Sequence, residues 1–136
     1  MSSEKIAISI STFEQGIKII KFLKKKNIKP YFYIKNYLIK YMGIDWLFAL
    51  INSFEKKFSK KSFAIYVDAG LDTGLTLLLI KKNIKYIKIK SNKTTLNKLK
   101  SIASKNSVLL NPSFNIIEFR NIKNVEKKLF NIYLKD

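Results

Sequence analysis

Three times in this chain a lysine-rich stretch runs through asparagine into the start of an apolar segment. The segments are Lys25-Lys26-Asn27-Ile28, Lys81-Lys82-Asn83-Ile84 and Lys105-Asn106-Ser107-Val108. Each reads as the same helix-to-strand corner. Lysines suit the negative end of a helix, and asparagine tolerates the left-handed backbone that often ends one. A recurring corner of this kind implies βαβ units, right-handed crossovers and a parallel sheet. The expected class is α/β: a single open, mostly parallel five-stranded sheet flanked by helices, spanning residues 1–136 as one domain.

In chain order, Ile6 to Ile10 reads as the first strand. Ser11 or Thr12 caps a helix with Phe13, Ile17, Ile20 and Leu23 on one face. Ile28 to Ile34 is the second strand, and Pro30 near its start suggests a sheet edge. A helical turn from Tyr37 to Tyr41 closes at Gly43. The main helix, Ile44 to Phe58, turns Leu47, Ile51, Phe54 and Phe58 inward, with Trp46 beside them. Phe63 to Val67 shows no alternation, as in a strand buried on both faces. Asp72 caps a helix from Thr73 to Lys82. Ile84 to Lys90 is a wetter fourth strand. Lys93 to Lys105 is a helix with Leu96, Leu99 and Ile102 on one face. Val108 to Leu110 is a short fifth strand, stopped by Asn111-Pro112. Ile116 to Phe119 fits no single element. A last helix runs from Ile122 to Leu134 on Ile122, Val125, Leu129 and Ile132. The apolarity of strands one and three, with the proline in strand two, favours a flavodoxin-like order 2-1-3-4-5. A half-barrel-like layout is the alternative.

Chemistry is narrowed by what the chain lacks. It has no cysteine and no histidine. That excludes disulfides, thiolate metal sites and any Ser-His or Cys-His nucleophile. The formal charge is +18, yet of 27 basic residues only Arg120 is arginine. Arginine is the residue of bidentate phosphate and guanine recognition. A lysine coat in an AT-rich coding context accounts for the composition, and such a coat still gives weak, salt-sensitive polyanion binding. No apolar window is long and uncharged enough to span a membrane. Met1 to Lys5 lacks a signal-peptide pattern. The cytoplasm is the expected compartment.

In an open parallel sheet, ligands bind beyond the carboxyl ends of the strands. Those ends bring Ser11, Asn36, Asp68, Gly70, Asp72, Gly74 and Ser91 to one rim. Asp68 closes the most apolar strand, so its carboxylate needs donors or a cation. It reads either as an acceptor for a ligand hydroxyl, a base or a Mg²⁺ ligand, or as a cap on the turn that follows. Asp72 reads most simply as an N-cap. Gly70 and Gly74 permit a tight turn and close backbone approach. No GxxxxGK[ST] or GxGxxG pattern occurs. A receiver-type phosphoacceptor is excluded, because strand one ends Ser11-Thr12-Phe13-Glu14 without an acidic pair, and strand five ends Asn111-Pro112 without a lysine.

Val67-Asp68-Ala69-Gly70-Leu71-Asp72-Thr73-Gly74 resembles the strand-ending Asp-Cys-Gly-Asp-like motif of a family of small alphaproteobacterial α/β proteins. Here alanine stands for the cysteine, and one residue is added before the second acid. Ser11 and the run Asn111-Pro112-Ser113 to Ile117-Glu118-Phe119 are similar to that family's serine and its proline-leucine-aspartate-leucine ending. The resemblance implies an α/β fold and no activity. Strand three is also similar to barrel strands of class II aldolases, whose histidine ligands have no counterpart here. The leading expectation is a small polar ligand at the rim, with Asp68 as central acceptor and Ser11 and Asn36 around it. No cofactor and no catalytic step are assigned. The rival readings are a lysine-rich nucleic-acid- or ribosome-associated protein, and a homodimer through apolar residues of the main and last helices.

Overall fold

The computed structural model describes residues 5–119 and 124–134. Arg120 and Ile122 lie outside the described residues. The elements run β1 (Lys5–Ser9), α1 (Phe13–Lys25), β2 (Tyr31–Ile34), α2 (Asn36–Met42), α3 (Ile44–Lys57) and, after a short 3-10 turn, β3 (Ala64–Asp68). Then follow α4 (Thr73–Lys81), β4 (Tyr86–Lys88), α5 (Lys93–Lys105), β5 (Leu109–Leu110), β6 (Phe114–Glu118) and α6 (Val125–Tyr133). The α/β class and the parallel sheet are as expected: every strand pairing is parallel. A sixth strand, β6, arises from the stretch that fitted no element. Among the described residues, no helix is long and apolar enough to cross a membrane.

The expected strand order is corrected. It is β5-β4-β3-β2-β1-β6, not 2-1-3-4-5. Strand two lies between one and three rather than at an edge. Pro30 immediately precedes β2, so its missing N–H interrupts no ladder; its carbonyl accepts from Ala64 N–H at 3.0 Å. Consecutive right-handed crossovers that all step the same way put every helix on one face. Accordingly one apolar core joins Ile8, Ile34, Val67 and Ile87 of the strands to Leu23, Leu47, Phe54, Leu79, Leu99 and Leu129 of the helices. Among the described residues, no helix packs over the opposite face. It buries its own side chains: Ala7, Tyr33 and Tyr66, with Tyr31, Tyr86, Phe114 and Ile116 against them.

That face is concave. The Phe114 ring of β6 lies 5.1 Å from the Tyr86 ring of β4, although three strands separate them in the sheet. The two edge strands are not hydrogen-bonded to one another, so the sheet is open. Even so, Leu110 and Phe114 are four residues apart in the chain, a span of at most about 14 Å. Asn111 makes this turn. Its N–H donates to the Ile87 carbonyl at 2.7 Å and its Oδ1 accepts from Ile89 N–H at 2.8 Å. With φ at +50° it then directs the chain away from β4. Pro112 follows, and β6 pairs with β1 over the register Lys5↔Phe114 to Ser9↔Glu118. The half-barrel-like alternative is the better description of the layout.

The recurring corners fold alike. Asn27, Asn83 and Ser107 have φ of 60°, 62° and 57°. The next residue in each donates back to the helix: Ile28 to Leu23, Ile84 to Leu79 and Val108 to Ala103, at 2.9–3.1 Å. This is the Schellman arrangement, with an apolar residue folding back onto the core. At the opposite end, Thr12 and Gln15 form a reciprocal capping box on α1.

Candidate functional site

Parallel strands gather their carboxyl ends at one rim, and Asp68 sits at its centre. β3 is buried along its length, and only this last residue is partly exposed. Its Oδ1 accepts from Gly70 N–H at 2.8 Å, and its Oδ2 accepts from the Tyr33 hydroxyl at 2.9 Å. An ionised carboxylate offers about four acceptor sites, so these two bonds leave acceptor capacity over. Asn36, the first residue of α2, donates its Nδ2 to the Asp68 carbonyl at 3.0 Å.

Gly70 is required here. Its φ is +64°, and a Cβ would stand 2.8 Å from Asn36 Oδ1. Its carbonyl accepts from Lys90 N–H at 2.8 Å, tying the β3 loop to the exit of β4. Asp72 caps α4, its Oδ1 accepting from Leu75 N–H at 2.9 Å. Gly74 is corrected: it lies in the first turn of α4 and shapes no tight turn.

Two depressions flank this loop and share the exposed Leu71. One, of about 610 Å³, is bordered by Asp68 and Gly70, by Lys88, Lys90 and Ser91 at the end of β4, and by Asn111. Lys88 is the direct register partner of Asp68. The other, of about 410 Å³, is bordered by Asn36, Lys40, Asp72 and apolar residues including Ile39 and Ile44. The structure therefore brings Asp68, Asn36, Gly70, Asp72 and Ser91 around one loop. Ser11 does not join them. It lies beyond β1, with β2 intervening, and its N–H and hydroxyl both donate to Gln15 Oε1 at the start of α1.

Tyr33, Lys88 and Glu118 also stand at the rim, and the sequence assigned none of them a ligand role. Glu118, at the tip of β6, pairs with Lys35 at the exit of β2. Burial, then the hydrogen bond to Asp68, holds the Tyr33 hydroxyl protonated well above the usual tyrosine range. Burial pushes Tyr66 up as well. A signal for the tyrosines exists. In Tyr31-Phe32-Tyr33-Ile34 and Ile65-Tyr66-Val67-Asp68, tyrosines alternate with residues of the aliphatic face, the period of a strand with two different buried sides. The main helix presents no large exposed apolar side chain; these lie at Tyr37, Tyr41 and Met42 of α2, at Leu71, and at Phe130 of α6, among others.

No family model matches this sequence, and no curated protein does. The fold is similar to a solved structure described as a "putative fructose-1,6-biphosphate aldolase" from Coccidioides immitis, with TM-score 0.58 and 12% identity. The match covers 79% of this chain and 40% of that one, so the chain spans less than half of its neighbour's length. The likeness defines the class of protein, an α/β chain with a curled parallel sheet. At this identity it carries the fold alone.

Proposed function

We propose that the rim around Asp68 binds a small polar ligand, with a ligand hydroxyl or ammonium donating to the carboxylate and polar or anionic groups turned toward Lys88. One observation carries the reading. Asp68 is fixed by Tyr33 and Gly70 yet borders a 610 Å³ depression with acceptor capacity to spare. Ligand pockets are concave, with a few placed polar groups at the floor. In barrel-like folds they sit at the carboxyl ends of the strands. The aldolase-like neighbour supports the same end by analogy of fold and lends no residue a role.

The test is a thermal-shift screen of hydroxylated and amino metabolites and of Mg²⁺ on wild type, Asp68→Asn and Asp68→Ala. A ligand at about 100 times its Kd stabilises by about 2.7 kcal/mol. The reading expects such a shift in wild type and its loss in both variants. A wild type that no compound shifts, with Asp68→Ala merely less stable, reduces Asp68 to a cap on its own turn.

A further inference from the structure

The parallel topology leaves lysines at both poles of this chain but most of its acids at the Asp68 pole. Helix carboxyl ends and strand amino ends meet at the pole opposite Asp68. There the corner from α1 to β2 carries Lys24, Lys25, Lys26 and Lys29. The corner from α3 to β3 carries Lys56, Lys57, Lys60 and Lys61. Lys81 ends α4, Lys82 and Lys85 lie between α4 and β4, and Lys105 ends α5. Among the described residues, Glu55 is the one acid at this pole. Asp68 and Glu118 lie at strand tips, Asp72 caps α4, and Glu14, Asp45 and Glu126 fall in first turns of helices, all at the other end.

Helix dipoles account for lysines in the last turns. They do not account for Lys29, Lys60 and Lys85, which stand outside any α-helix. Those three, with Lys82 and one acid, Glu55, line a depression of about 760 Å³ between α3 and the corner from α4 to β4. Phe48 is its one partly exposed aromatic wall on the helix side, with the Lys82 ammonium 5.5 Å from the ring; the Phe63 ring is buried in the core and the Tyr86 ring packs on the other sheet face. Lysines drawn from three separate corners around one groove suit the phosphates of a flexible single-stranded nucleic acid backbone. Stable membrane docking adds protruding apolar side chains to the attraction of lysines for anionic lipid. The groove is lined by no large exposed apolar residue; Leu109, at the start of β5, stands apart from it.

We infer that the groove between α3 and the corner from α4 to β4 is a nucleic-acid site, sequence-independent and held through phosphates by Lys29, Lys60, Lys82 and Lys85. It is separate from the Asp68 rim. Four neutralised phosphates on a single strand give a log–log salt slope of about −2.8, or a loss of about 50-fold between roughly 50 and 200 mM salt.

The test is fluorescence anisotropy with a labelled oligouridylate of roughly 20 nucleotides, a length that covers one or more single-strand sites. The groove variant combines Lys29→Glu, Lys60→Glu, Lys82→Glu and Lys85→Glu. The control combines Lys18→Glu, Lys21→Glu, Lys98→Glu and Lys100→Glu, exposed lysines of α1 and α5, and has the same net charge. The groove variant is expected to lose at least about tenfold more affinity than the control, with its slope shallower than about −1. Should it melt early, the four Lys→Gln changes are expected to keep the same ranking. Equal losses in the two charge-matched variants overturn the inference and leave a diffuse lysine coat. Binding to phosphatidylserine vesicles without binding to the oligonucleotide at the same salt overturns it as well.

Discussion

Replacing Gly70 by alanine tests how the rim is held, and its cost can be worked from two terms. Gly70 has φ of +64°. A left-handed backbone costs a residue with a Cβ roughly 1–2 kcal/mol. The added Cβ also meets Asn36 Oδ1 at 2.8 Å, so the Asn36 side chain must move. Moving it breaks the bond to the Asp68 carbonyl, worth about 1 kcal/mol. The sum is about 2–3 kcal/mol. For a domain of this size that lowers Tm by roughly 6–15 °C. Asn36→Ala alone is expected to cost about 1 kcal/mol, through the lost bond. In that background Gly70→Ala meets no side chain, and only the backbone term of about 1–2 kcal/mol remains. Urea unfolding of the four proteins measures the cycle, and sub-additivity of about 1 kcal/mol is expected. Equal cost of Gly70→Ala in both backgrounds would refute the contact. A cost below about 0.5 kcal/mol would refute the left-handed turn itself.

Two further outcomes follow from the concave face and its hydroxyls. Phe114→Ala is expected to cost about 3 kcal/mol in urea unfolding, because its ring packs within 5.1–5.3 Å of the Tyr31, Tyr66 and Tyr86 rings; a loss under 1 kcal/mol would mean the trough is not filled as described. In alkaline solution, Tyr33 and Tyr66 hold their protons above the usual value of about 10, and burial pushes Tyr133 up to about 12. The unfolded chain then binds fewer protons than the folded one. The contribution is fully present below pH about 10 and is lost as pH rises through the raised values. Ultraviolet titration of phenolate should show these tyrosines ionising late, with stability falling above pH about 10. Titration of every tyrosine together near pH 10 would remove the effect.

The amino-acid sequence by itself determined the local parts. The asparagines and the serine before Ile28, Ile84 and Val108 end helices because short polar residues accept a left-handed backbone and the next apolar residue folds back onto the core. Asp72 and Thr12 start helices because their oxygens take orphan N–H groups. Asp68 is marked as a rim residue because a carboxylate follows an unbroken apolar run. All of this depends on near neighbours in the chain. Which strand lies beside which was decided only by the tertiary structure. A parallel pairing rewards any apolar strand about equally, so Pro30 and the apolarity of β1 and β3 pointed to the wrong neighbours. Sequential stepping leaves one sheet face without helices, and that face buries itself by curling. The pairing of β2 with β3 sets the Tyr33 hydroxyl on Asp68, the parallel topology brings the helix-to-strand corners and their lysines to the far pole, and the curl carries Phe114 across to Tyr86.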